Sequence, residues 1–155
     1  MLPPVDLSAL KVDMHSHLIP GIDDGSRSMD ETIAMLAKFE SLGYQKVITT
    51  PHIMGDFYKN TPEIILGGLE DVRSVAQQLG LKIEMEAAAE YYFDESLMNR
   101  LKQKEKLLTF GDNQLLFEFS MMEKPNQIEQ LLFEMLTQTY KPVLAHFERY
   151  TFFFG

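Results

Sequence analysis

Five short apolar or alternating runs recur along this 155-residue sequence, and each ends on a side chain able to bind a metal. They are Val12-Asp13-Met14-His15-Ser16-His17, Val47-Ile48-Thr49-Thr50-Pro51-His52, Ile83-Glu84-Met85-Glu86-Ala87-Ala88-Ala89-Glu90, Leu115-Leu116-Phe117-Glu118 and Pro142-Val143-Leu144-Ala145-His146. Read as strands, they place all four histidines at strand ends, together with Glu90 and Glu118. Helix-like stretches separate them, so β and α alternate and a parallel sheet is expected. In α/β barrels the chemistry is carried at the C-terminal strand ends, where the connecting loops open.

The helical stretches carry their own punctuation. Ser28 and Glu31 are spaced as a capping box ahead of Met29, Ile33, Leu36 and Phe39, with Gly43 as the stop. Thr61-Pro62 opens a second helix whose apolar face includes Ile65, Leu69, Val72 and Leu79, ended by Gly80. Asp94 is placed to cap a third helix reaching about Lys106, and Gly111-Asp112-Asn113 to turn the chain into the fourth strand. A fourth helix follows Pro125, and its stripe of Ile128, Leu131, Leu132 and Met135 reads as packing on the sheet.

Five strands and four helices fall short of the roughly 250 residues of a complete barrel. The expected architecture is therefore an incomplete α/β barrel over residues 11–155, preceded by an N-terminal extension over residues 1–10. An open last edge and the run Phe152-Phe153-Phe154 point to self-association through that edge. Composition removes several function classes. The chain has no cysteine, which excludes disulfides, thiolate metal sites and a cysteine nucleophile. A formal charge of −9 disfavours nonspecific binding to a nucleic-acid backbone. No apolar run approaches the ~18 residues of a membrane span, and Met1-Leu2-Pro3-Pro4-Val5-Asp6 does not read as a signal peptide, so a cytoplasmic location is expected.

His15 and His17, spaced i and i+2, share one face of a strand and can converge on one ion, with Asp13 on the same face to orient a ligand. His52 follows a proline that ends its strand. Glu90 follows three small alanines and Glu118 lies between two phenylalanines, so a buried carboxylate at either position calls for a cation. Asp24, in Asp23-Asp24-Gly25-Ser26, can ligate an ion or only shape the turn. Arg149, three residues beyond His146, can grip a phosphate in bidentate fashion or pair with Glu148. Imidazole and carboxylate without sulfur suit manganese, iron(II) or zinc, and several ions in one pocket activate water for phosphoryl displacement.

The blocks Asp-Met-His-Ser-His-Leu-Ile-Pro-Gly-Ile-Asp-Asp-Gly, Thr-Pro-His, Ala-Ala-Glu-Tyr-Tyr, Phe-Glu-Phe-Ser and Ala-His-Phe-Glu-Arg-Tyr resemble the polymerase and histidinol phosphatase (PHP) superfamily. Within it they are most similar to the bacterial tyrosine-protein phosphatases of capsule and exopolysaccharide operons. The resemblance implies a distorted seven-stranded TIM-like barrel, of which about five strands are present here, and a centre of up to three ions, usually manganese. It assigns His15, His17 and Glu90 to one ion, Glu90 as the bridge to a second ion shared with Glu118 and His146, and Asp24 and His52 to a third. It makes Glu90 and Arg149 the catalytic residues, with Arg149 holding the substrate phosphate while a metal-activated water attacks. The implied substrate is phosphotyrosine on a bacterial tyrosine kinase. The family's last-strand Asp-x-His block has no counterpart in this sequence, so weakened metal binding and low or absent turnover are expected. The alternatives are another phosphoesterase of the superfamily, such as a histidinol-phosphate phosphatase, and a non-catalytic metal- or partner-binding chain.

Overall fold

Two of the five expected strands break before reaching their ligands. In the computed structural model, which describes residues 9–154, the run toward His52 divides into β2 (Lys46–Thr49) and β3 (His52–Ile53). Pro51 lies in the gap, and its missing N–H withdraws a rung from the ladder. The run toward Glu90 likewise divides into β4 (Glu84–Ala87) and β5 (Glu90–Tyr92) around the buried pair Ala88-Ala89. With β1 (Val12–Ser16), β6 (Gln114–Glu118) and β7 (Lys141–Leu144), the five runs become seven short strands. His52 and Glu90 therefore open strands of their own rather than closing longer ones.

The strands and four helices belong to two units. The first runs up to Pro51 and again over Glu63–Ala87. Its sheet has the order β1-β2-β4, all parallel, with Val47 opposite Met85. Helix α1 (Met29–Ser41) starts as its sequence requires, with the Glu31 N–H donating to Ser28 Oγ at 3.2 Å. The reciprocal half of the box shifts by one residue, because the Glu31 carboxylate takes the N–H of Arg27 at 2.7 Å. Helix α2 (Pro62–Gln78) buries Ile65, Leu69, Val72 and Ala76. Leu79 does not join them and is exposed beyond the helix end, where Ala76 completes the apolar face. Leu36, Val47, Leu69, Val72 and Met85 form the centre of this unit's core.

The second unit takes His52–Pro62 and the chain from Ala88 onward. Its sheet has the order β3-β5-β6-β7, again wholly parallel. Asp94 caps helix α3 (Glu95–Lys102), which stops short of the expected Lys106 as Lys104 turns to φ 56°. Gly111 and Asn113 take positive φ to feed β6, the left-handed geometry that this Gly-Asp-Asn turn supplies. Helix α4 (Ile128–Thr137) buries Leu131 and Met135, and Leu101, Leu115 and Phe117 are buried in the same unit. The architecture is mixed α/β with parallel sheets, and among the described residues no helix is long and apolar enough to cross a membrane. Most of the expected N-terminal extension lies outside the described residues.

Candidate metal centre

Parallel register does most of the work in the second unit. His52 and Glu90 are direct partners across β3 and β5, and Glu118 closes β6 opposite Tyr92. His146 follows β7 in a left-handed conformation, φ 34° and ψ 51°, which turns the chain into a 3-10 segment over Phe147–Arg149. A non-glycine residue held there carries strain that the surroundings must stabilise. Tyr150 does so, wholly buried with its ring 5.8 Å from that of His146 and 4.5 Å from that of Phe119.

These positions bring two imidazoles and two carboxylates together. His52 Nδ1 lies 3.3 Å from Glu90 Oε2 and 3.1 Å from Glu118 Oε1. His146 Nε2 lies 3.0 Å from Glu90 Oε1 and 3.4 Å from Glu118 Oε2. Both carboxylates are almost sealed from solvent, at 1% exposure for Glu90 and 6% for Glu118. One ligand atom each from His52, Glu90 and Glu118 falls within 4.8 Å of the others. Two imidazoles facing two buried carboxylates make a nitrogen and oxygen donor set that fits an ion of the manganese, iron or zinc type. Burial, reinforced by the Glu118 and Glu90 charges, pushes the Tyr150 phenol up to about 12.

Tyr58 stacks on the His52 ring, with centroids 5.4 Å apart and planes 12° from parallel. The Asn60 side-chain amide donates to the His52 carbonyl at 2.8 Å. Arg149 is exposed beside His146 and makes no ion pair with Glu148 among the described residues, which leaves its guanidinium available.

The first unit holds the remaining candidates differently. His15 Nδ1 lies 2.6 Å from the Thr50 hydroxyl, and His17 Nδ1 lies 2.7 Å from Asp23 Oδ2. The Asp23 side chain is fully buried and also accepts the Gly25 N–H at 3.0 Å, an Asx turn that fixes the loop. Asp24 is 64% exposed at its side chain, 3.9 Å from His17 Nδ1. A side chain at Gly25 would collide with the His17 carbonyl, so the loop closes only over glycine. Burial pushes the Asp13 carboxyl upward. Sequence reasoning had not singled out Asp23, Thr50 or Tyr58 as partners. The Asx spacing of Asp23 to Gly25 was a visible signal for the first, whereas no local pattern marks the other two.

A family model described as "Capsular polysaccharide synthesis, CpsB/CapC" matches residues 11–154. The tyrosine-protein phosphatase CpsB of Streptococcus pneumoniae is 31% identical over 140 residues, covering 90% of this chain and 57% of its own length. The tyrosine-protein phosphatase YwqE of Bacillus subtilis (strain 168) is 30% identical over 145 residues, covering 89% of this chain and 54% of its own. A solved structure described as "Crystal structures of YwqE from Bacillus subtilis and CpsB from Streptococcus pneumoniae, unique metal-dependent tyrosine phosphatases" superposes with a TM-score of 0.80 at 26% identity, over 89% of this chain and 56% of that one. The chain spans a little over half the length of the relatives it matches.

Proposed function

The chain belongs to the CpsB/CapC family of capsular polysaccharide synthesis, and from that premise we propose that it is a metal-dependent protein-tyrosine phosphatase domain. The observation that carries the reading is the buried cluster of Glu90, Glu118, His52 and His146, whose donor types suit a hard-to-borderline divalent ion. Glu90, Glu118 and His146 are proposed to hold one ion, with His52 as a further ligand. His15, His17 and Asp24 are proposed as ligands on the first unit, for up to three ions in a complete site. Manganese is the proposed metal, with iron(II) or zinc as substitutes. Such an ion supplies Lewis-acid stabilisation of phosphoryl charge and a water acidic enough to attack at neutral pH.

The chain's own residues do the rest. Glu90 offers both carboxylate oxygens to different imidazoles, which suits it to bridge. The planar guanidinium of Arg149 presents forked donors that match phosphate oxygens in a way a lysine cannot. The proposed substrate is phosphotyrosine on a bacterial tyrosine kinase, and a cytoplasmic location goes with it. The parallel sheets are read as parts of a PHP-type barrel occupying residues 11–155, with residues 1–10 as an extension. Exposed Phe147, Phe153 and Phe154 beyond the edge strand β7 support self-association.

The test compares phosphate release from a phosphotyrosine peptide, histidinol phosphate and an oligonucleotide, with manganese and after chelation. Slow, manganese-dependent release confined to the peptide is expected. Release that ignores the ion, or that favours histidinol phosphate, contradicts the reading.

A further inference from the structure

We propose that Asp94 is a positioning residue for the metal centre, acting through the loop Met54–Tyr58 on the ring of His52. The inference rests on the proposed metal-binding role of His52. Asp94 lies outside the ligand cluster, and sequence alone assigns it only as the cap of α3. Its two carboxylate oxygens have separate tasks. Oδ1 accepts the Leu97 N–H at 2.9 Å and caps the helix, while Oδ2 accepts the Gly55 N–H at 2.8 Å.

Gly55 lies inside a tight loop whose ends are tied to each other. The Met54 N–H donates to the Tyr58 carbonyl at 2.9 Å, and the Tyr58 N–H returns the bond to Met54 at 3.1 Å. Tyr58 then covers one face of the His52 imidazole, whose Nδ1 is the atom aimed at Glu90 and Glu118. The loop approaches the helix so closely that a Cβ at Gly55 would stand 3.1 Å from Asp94 Oδ2 and 3.2 Å from the Ser96 Cβ. A capped helix is a rigid base, so the second oxygen of its cap fixes the loop, and the loop fixes the plane of a ligand ring. Groups outside the coordination sphere that set ligand orientation typically alter metal affinity about 10–100-fold when removed.

Two substitutions each remove at least one of the two bonds, and the second spares the cap. Asp94→Asn can accept only one of the two bonds, whichever way its amide is turned, and Asp94→Ser keeps a capping hydroxyl too short to reach Gly55. Manganese affinity is read by calorimetric titration, and the His52 ring nitrogens by NMR in the metal-free protein. The expected result is about tenfold weaker binding in Asp94→Ser, with helix content unchanged and the His52 ring resonances displaced, and in Asp94→Asn a loss only as far as its amide oxygen serves Leu97 and leaves Gly55. Phe57→Ala, at the exposed tip of the same loop, should bind as wild type does. Gly55→Ala disturbs the contact from the loop side while leaving the Asp94 carboxylate in the chain, and should reproduce the loss if the Asp94 variants fold poorly.

Wild-type affinity and unmoved His52 resonances in Asp94→Asn and Asp94→Ser would overturn the inference. Absence of manganese binding by the wild type overturns the proposed function instead. The His52 resonances of the metal-free variants then decide the positioning role alone.

Discussion

The first unit holds its imidazoles against a hydroxyl and a loop carboxylate, whereas the second locks its imidazoles directly onto two carboxylates at strand ends. In the first, orientation depends on one Asx turn and one threonine. In the second, it depends on the register of parallel strands and on a strained residue, His146. A loop-built arrangement changes with a single turn residue, while a register-built one persists unless the sheet itself slips. The second also concentrates buried negative charge, and that charge makes it the stronger candidate for an ion.

The largest expected contrast is in the response to metal. Saturating manganese should stabilise the wild type by about 2.7 kcal/mol at a hundredfold excess over Kd. Glu118→Gln, which removes one buried carboxylate charge, should abolish most of that gain. Thermal unfolding with and without manganese reads both. An equal gain in the variant would mean that ions bind elsewhere.

Next comes the loop of the first unit. Gly25→Ala forces a methyl group into the His17 carbonyl and should cost about 2–3 kcal/mol. Urea unfolding measures it, and an unchanged midpoint would remove the loop's claim to orient His17.

An alkaline pH effect should reach the second unit through the two tyrosines pushed up to about 12, Tyr91 and Tyr150. Burial is the first cause in each case. In the unfolded chain these phenols ionise near 10.0, so between about 10 and about 12 the folded state retains protons that the unfolded state has lost. Stability from these groups is complete below pH 10 and falls as pH rises through that window. Amide exchange of β5 and β6 should accelerate there, and Tyr91→Phe should weaken the dependence. The smallest effect on stability is expected at Arg149, where exposure limits Arg149→Met to about 0.5 kcal/mol. Its consequence should instead be a higher KM for phosphotyrosine peptide.

Strand ends and helix starts were legible because they are written locally. Ser28 and Asp94 cap the helices they precede, and His52, Glu90, Glu118 and His146 do converge. Asp23 could be read only as a loop-shaping residue, because two adjacent aspartates look alike until the loop closes and buries one of them against His17. Thr50 and Tyr58 carry no metal-ligand chemistry, so only tertiary placement makes them partners of His15 and His52. The break after β4 falls in a run of small alanines that carries no turn signal, whereas Pro51 offered a clue to the break after β2. Leu79 fits the helical period but falls after the last turn, where no core remains to receive it.

The most direct test is the metal content of the protein purified without chelator, compared with that of Glu118→Gln prepared alongside. About one equivalent of manganese, iron or zinc is expected in the wild type, and a large loss in the variant. A folded wild type that holds no divalent ion, even after incubation with manganese, would contradict the proposed metal centre.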